Sequence, residues 1–263
     1  MIIDSHVHAF PDALAQRTLD YLASVCHQTP SSDGTLSGAR AKCTAWGVDR
    51  ACFLPIVTKP KNQTKINDFA AAAPRDFWIP FGSVHPDSPD ALDELHRIKE
   101  MGLYGVKLHP VYQDFYVSED RMLPIYETIT KLGLPVVFHA GDDPLAPGNK
   151  QCTPRDCARI LDTFPHMKII LAHMGGIRMA EDALRYLAGR DVYFDTAVAS
   201  LTLPVELYQE LVDAHGTDHI LFGTDCPWST APAELDHLRK LNLTPDQWED
   251  ITHRNAERLF HLL

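Results

Sequence analysis

Eight short runs of aliphatic, β-branched and aromatic residues recur along the chain: Met1–Asp4, Arg50–Pro55, Trp78–Val84, Tyr104–Leu108, Pro135–Phe138, Lys168–Ala172, Val192–Asp195 and Ile220–Phe222. Most are continuous rather than alternating, the pattern of parallel strands covered on both faces. Helical signals lie between them. Ser88-Pro89, Thr153-Pro154 and Thr244-Pro245 each place a capping hydroxyl before a proline, which predicts a helix start. Apolar residues then follow at helical spacing, as in Leu92, Leu95 and Ile98, Ile160, Leu161 and Phe164, or Leu207 and Leu211. Gly47, Gly102 and Gly133 stand where helices end. Strands alternating with helices predict an α/β fold, a single (β/α)8 TIM barrel spanning 1–263 as one domain. An open doubly wound sheet would call for a glycine-rich phosphate loop after the first strand, and none is present. Gln28–Gly38, rich in Ser, Thr, Gly and Pro, reads as a loop.

Composition narrows the function classes. The 263 residues are 45% hydrophobic and 22% charged, enough for a large core. The formal net charge of -11 argues against nucleic acid and anionic lipid as partners. No run approaches the roughly 18 apolar residues of a membrane span, and the N-terminal Met-Ile-Ile-Asp-Ser-His lacks the basic and apolar regions of a signal peptide. The six cysteines form no regular framework and are expected to be thiols in a cytoplasmic protein. The partner expected is a small-molecule substrate; association of copies is left open.

The ends of the strands carry the chemistry. His6 and His8, at i and i+2 of the first strand, point to one face. His139 closes the fifth run, His173 the sixth, and Asp225 follows the eighth. Barrel active sites form at the C-terminal strand ends, so four strands deliver four imidazoles and a carboxylate to one mouth. That donor set suits a catalytic divalent metal, with Zn2+ the first expectation. Other histidines read differently: His27, His96, His166, His215, His219, His237, His253 and His261 are expected at the surface. His85 and His109 are expected to be hydrogen-bonded structural residues or mouth lining. Asp195 is expected to orient a mouth residue, to bind substrate or to support the fold. Tyr112, Tyr116 and Trp228 are expected to stack on a ring or pack the rim, and nothing near Cys226 marks it as a nucleophile.

The motifs Asp4-Ser-His6-Val-His8, Gly105-Val-Lys107-Leu-His109-Pro, Phe138-His139-Ala, Ala172-His173-Met-Gly-Gly, Gly223-Thr-Asp225-Cys-Pro and Asn255-Ala-Glu-Arg-Leu resemble the amidohydrolase superfamily. The resemblance is nearest to its amidohydrolase-related branch, which includes the aminocarboxymuconate-semialdehyde decarboxylases. It implies that His6, His8, His139 and Asp225 bind the metal and that His173 faces the metal-bound water or the substrate. In two-metal members a carboxylated lysine bridges the ions, and Lys107 matches that position. The branch implies one metal, with Lys107 then a cation in the mouth. The arginine that holds the decarboxylases' substrate has no counterpart that can be placed.

The function expected from these residues is hydrolysis of a small amide, lactone or ester. Zinc lowers the pKa of its water to about 7, Asp225 takes the proton and His173 assists at the developing charge. Decarboxylation of an unsaturated or aromatic acid is the alternative that the same residues allow. A barrel that keeps the metal without turnover is disfavoured, because a structural metal needs neither an open position nor an adjacent base. Specificity is expected in the loops Thr58–Lys65, Tyr112–Glu119 and Asp142–Gln151.

Overall fold

A computed structural model describes residues 1–262. Eight parallel strands appear in chain order: β1 (Ile3–Val7), β2 (Arg50–Phe53), β3 (Trp78–Pro80), β4 (Val106–Leu108), β5 (Val136–Phe138), β6 (Ile169–Leu171), β7 (Tyr193–Asp195) and β8 (Ile220–Leu221). They run as two ladders, β1-β2-β3 and β4 through β8. Backbone bonds stitch the ladders into a closed barrel. Lys107 N–H donates to Gly82 O at 2.7 Å, joining β3 to β4. Ser5 N–H donates to Phe222 O and His8 N–H to Cys226 O, both at 2.7 Å, joining β1 to the end of β8. Closure leaves the barrel without unpaired edges.

Strand alternation sorts the apolar side chains into two cores. Ile3, Cys52, Leu54, Ile79, Phe81, Val137, Ile170 and Leu221 fill the barrel interior. Val136, Phe138, Ile169, Leu171, Phe194 and Ile220 face outward and pack with the helices. The helix Asn255–Phe260 closes the interior: Ala256, Leu259 and Phe260 join the inner core, with Phe260 edge-on to Phe81 at 5.4 Å. Asn255 Nδ2 donates to Thr217 O and Ile220 O, both at 2.7 Å, which ties this helix to the start of β8. With the interior packed, the opposite, C-terminal strand ends are where polar side chains collect.

All eight strands appear where the apolar runs place them, with one shift. β1 continues past the apolar run to Val7, so His6 lies in the strand and His8 just past its end, and the register slips between Asp4 and Val7. Thr153 and Thr244 cap their helices as expected, the latter with a full capping box to Gln247. Ser88 does not: its hydroxyl bonds Asp90, and the helix starts at Ala91. The loop after the first helix is shorter than expected, because Thr35 caps a helix beginning at Leu36. Two histidines assigned to the surface are buried. His215 stacks on Phe194 at 4.0 Å and bonds Val192 O, and His237 bonds Leu203 O; in both, a backbone carbonyl takes the Nε2 proton, while His215 Nδ1 is left without a partner. Among the described residues, no helix is long and apolar enough to cross a membrane.

Gly141, two residues past His139, has φ +85, and a Cβ there would lie 2.3 Å from Ile177 N. Its segment is sewn to the loop after β6 by Ile177 N–H to Ala140 O and Asp142 N–H to Ile177 O. Gly141→Ala combines left-handed strain with a backbone clash, so a loss of about 1–3 kcal/mol is expected. Thermal unfolding checks it: a lower Tm is the expected outcome, and an unchanged Tm would refute the close approach.

Candidate functional site

β1, β5, β6 and the segment after β8 bring His6, His8, His139, His173 and Asp225 together at the C-terminal mouth. Local structure aims each of them. Asp4 accepts from His6 N–H (3.0 Å), Thr224 N–H (3.0 Å) and Thr224 Oγ1 (2.7 Å), clamping β1 to the turn that carries Asp225. Burial pushes the Asp4 carboxyl up to about 7, against the lowering effect of the Thr224 hydrogen bond. His173 and Asp225 both have left-handed backbones, φ 62 and φ 67, a conformation rare for such residues and concentrated at functional sites.

The hydrogen bonds fix which ring nitrogens are free. His6 Nδ1 faces Asp195 Oδ2 at 2.8 Å, His8 Nδ1 faces Leu54 O at 2.8 Å, His173 Nδ1 faces Ala197 O at 3.1 Å and His139 Nε2 faces Asp142 O at 3.2 Å. Each of these oxygens only accepts, so each imidazole donates there and its other nitrogen is a bare lone pair. The bare nitrogens turn toward one another. His6 Nε2 and His8 Nε2 are 3.1 Å apart, and His139 Nδ1 and His173 Nε2 are 3.0 Å apart. Asp225 Oδ1 lies 3.1 Å from His8 Nε2 and 3.4 Å from His6 Nε2. Acceptors facing acceptors at such distances repel unless positive charge sits among them. Protonation is a poor supplier of it. Burial, reinforced by the Lys107 charge, holds His6 well below the usual imidazole range, and burial with His173 and Lys107 does the same for His139. The donor set therefore fits a divalent cation, which neutral imidazoles and an ionised carboxylate bind. Burial alone would raise Asp225; positive charge at the His6 and His8 positions is what holds its carboxyl below the usual range, and a cation among these atoms would supply that charge with the rings neutral.

The four expected ligands do not converge equally. The donor atoms of His6, His8 and Asp225 lie within 4.8 Å of one another. His139 turns Nδ1 to His173, and its Nε2 belongs with His109 and Asp143 in a second close group. Lys107 is fully buried, with Nζ 3.4 Å from His6 Nε2, and burial lowers its pKa to about 8.

Asp195 takes the first of its three expected roles: its Oδ2 accepts from His6, and its Oδ1 accepts from His173 N–H at 2.9 Å and Ala197 N–H at 3.1 Å. Asp143 escaped the sequence reading. It lies in an aperiodic loop, and only its position four residues after His139 hinted at the site. Tyr112 stacks on His109 at 3.8 Å, whereas Tyr116 is exposed and bonds Asn149. All six cysteines are free thiols.

Asp195→Asn should weaken metal binding about 10–100-fold, since a carboxylate behind a ligating histidine fixes its tautomer. The amide can keep its oxygen on the two backbone N–H groups, and then presents NH2 to His6 Nδ1 where an acceptor is needed. A competitive metal titration with a chelating dye measures the change; equal affinity in both proteins would remove Asp195 from this role.

The amidohydrolase family pattern matches residues 3–262. This chain belongs to the amidohydrolase family. Gamma-resorcylate decarboxylase of Polaromonas sp. strain JS666 is 26% identical to this amidohydrolase over 246 residues, covering 77% of this chain and 72% of the relative. An uncharacterized TIM-barrel protein of Bordetella bronchiseptica superposes with a TM-score of 0.78 at 22% identity, over 99% of this chain and 98% of that one. The 5-carboxyvanillate decarboxylase of Novosphingobium aromaticivorans, in complex with manganese and 4-hydroxy-3-methoxy-5-nitrobenzoic acid, gives 0.76 at 19% identity over 99% and 96%. The barrel fold follows from these likenesses, and they correct the expected reaction. Hydrolysis of an amide, lactone or ester was the first expectation, but the relative aligned along most of the sequence is a decarboxylase. The same donor set serves both reactions, which is why the residues alone favoured the commoner one.

Proposed function

We propose that this amidohydrolase-family chain is a metal-dependent decarboxylase of an aromatic carboxylic acid. His6, His8, His139 and Asp225 hold the metal; Asp225, His173 and Lys107 act on the substrate. The observation that carries this reading is a largely buried donor cluster beside a buried ammonium: His6, Lys107, His173 and Asp195 are each 4% exposed or less and His8 is 8% exposed, with the Asp225 side chain 13% exposed. Hydrolysis consumes water. Decarboxylation consumes only a proton, and it gains from a site where a carboxylate is desolvated and becomes neutral CO2. The decarboxylase of Polaromonas sp. supports the same reading.

Manganese is the metal proposed, because the decarboxylase of Novosphingobium aromaticivorans carries it and a mixed imidazole and carboxylate set accepts it as well as zinc. Once bound, the divalent ion supplies a Lewis acid that orients the substrate's oxygens.

The chain's own residues do the rest. Lys107, with a pKa of about 8, is mostly charged at neutral pH and draws the substrate carboxylate inward. Asp225 receives a proton and delivers it to the ring carbon that bears the carboxylate. The carbon–carboxylate bond then breaks, its electron pair returns to the ring and CO2 leaves. His173, anchored through Nδ1 to Ala197 O, passes the replacement proton to Asp225.

Turnover of aromatic acids by manganese-loaded protein in deuterated water tests this. The product should carry one deuterium at the carbon that lost its carboxylate. A product that retains the carboxylate and gains the elements of water would refute it.

A further inference from the structure

The segments after β6 and β7 enclose a cavity of about 260 Å³ that adjoins the donor cluster. His173 belongs to both: its Nε2 faces His139 Nδ1 at 3.0 Å, and the same residue lines the cavity with Met174 and Gly176. The helices Ala180–Tyr186, Ala199–Thr202 and Val205–His215 supply the other walls.

The walls are held in place. His173, Met174, Arg178 and Val198 have left-handed backbones, with φ 62, 52, 58 and 53, and each lines the cavity or adjoins a residue that does. Such conformations cost energy and gather at functional sites and ligand clamps. Backbone bonds from Gly176 N–H to His173 O and from Ile177 N–H to Ala140 O, both at 3.0 Å, fix the segment after β6. A preformed cavity has little left to order when a ligand enters.

The lining selects the occupant. Met174, Met179, Ala180, Ala199 and Leu203 give it a buried apolar surface. Thr202 Oγ1 is committed to Val198 O at 2.8 Å, and Arg178 Nη1 to Asp142 Oδ2 at 3.0 Å. Glu181 and Asp182 complete the lining and make it net acidic, which disfavours a second anion. An apolar cavity of roughly 150 Å³ is enough for a benzene ring, so the space here suits a group of that size.

We propose that this cavity is a subsite for a neutral apolar substituent of the substrate, an alkyl chain or a second ring, on the acid whose carboxylate lies at the donor cluster. This rests on the decarboxylase reading and adds the far end of the substrate to it. Burial of the substituent supplies binding energy away from the reacting bond, and that energy orients the carboxylate.

Calorimetry of manganese-loaded protein with benzoate, 3-butylbenzoate and 4-butylbenzoate tests the subsite, with manganese content and molecular mass measured on each sample. The better butyl acid should bind wild type about 10–100-fold more tightly than benzoate, since each buried methylene is worth roughly a factor of four. Leu207→Trp fills the cavity from a half-buried position that takes no part in the donor cluster, and Leu203→Trp fills it from another wall. In these variants the preference for the butyl acid should fall toward one, with benzoate affinity and manganese content as in wild type. Equal binding of all three acids by wild type would overturn the subsite, as would a preference unchanged in both variants. Tighter binding of 4-(3-carboxypropyl)benzoate than of 4-butylbenzoate would overturn its neutral character. A wild-type dimer that Leu207→Trp dissociates, with the preference unchanged, would assign the cavity to an interface between copies instead. Absence of binding by every acid to metal-loaded wild type would sink the aromatic-acid reading itself, and the subsite with it.

Discussion

Asp225→Asn should lower decarboxylation about 10²–10⁴-fold, the share that acid–base catalysis usually contributes, while part of the metal stays bound. The substitution keeps an oxygen beside His8 Nε2, where Asp225 Oδ1 lies at 3.1 Å, but an amide cannot receive and deliver the proton that replaces the carboxylate on the ring. Turnover and metal content measured on the same sample separate the two roles. Full activity with full metal would remove Asp225 from the chemistry; loss of both would reduce it to a ligand. His173→Asn is the companion: turnover should fall with metal content unchanged, since its role lies with the proton. If His173 instead holds a second ion together with a carboxylated Lys107, the same variant should lose half of the bound metal.

His6→Ala or His8→Ala should abolish tight binding of the divalent ion, of which wild type should hold close to one equivalent. Each substitution removes one of the bare nitrogens that turn toward one another, 3.1 Å apart in the folded chain. It also relieves a repulsion, so the metal-free variant should fold. The barrel does not depend on these rings, which lie at the mouth, while the packed interior is built from Ile3, Leu54, Phe81, Val137 and their neighbours. Elemental analysis with circular dichroism distinguishes the outcomes. A folded variant without metal is expected. An unfolded chain in both variants would make the pair structural, and a variant that retains a full equivalent would place the metal elsewhere.

The barrel was legible because a parallel strand covered on both faces needs a continuous apolar run, and each run ends where its side chains leave the core. Hence His139, His173 and Asp225 could be found as the residues just beyond β5, β6 and β8. β1 was harder to bound: Asp4, Ser5 and His6 are polar yet lie inside the strand, because hydrogen bonds from Thr224 and to Asp195 satisfy them from residues more than 180 positions away. Long-range partners of that kind leave no periodicity. Asp195 could therefore be noticed but not assigned, and Asp143 could be placed only as part of the loop Asp142–Gln151, without a role of its own. His215 and His237 were misjudged for a related reason, since a carbonyl that satisfies a buried imidazole is invisible in sequence. The reaction was beyond reach of the donor set alone, because a metal flanked by histidines and an aspartate activates water or a carboxylate equally well; the decarboxylase relative is what favours the second.

Carbon balance tests the central claim most directly. Protein stripped by chelator and protein reloaded with Mn2+ are each given a panel of hydroxylated aromatic acids, with CO2 and residual acid measured together. One CO2 is expected for each acid consumed by the reloaded protein, and none from the stripped protein. Absence of CO2 from every acid, while the same reloaded protein cleaves an amide, lactone or ester, would contradict it.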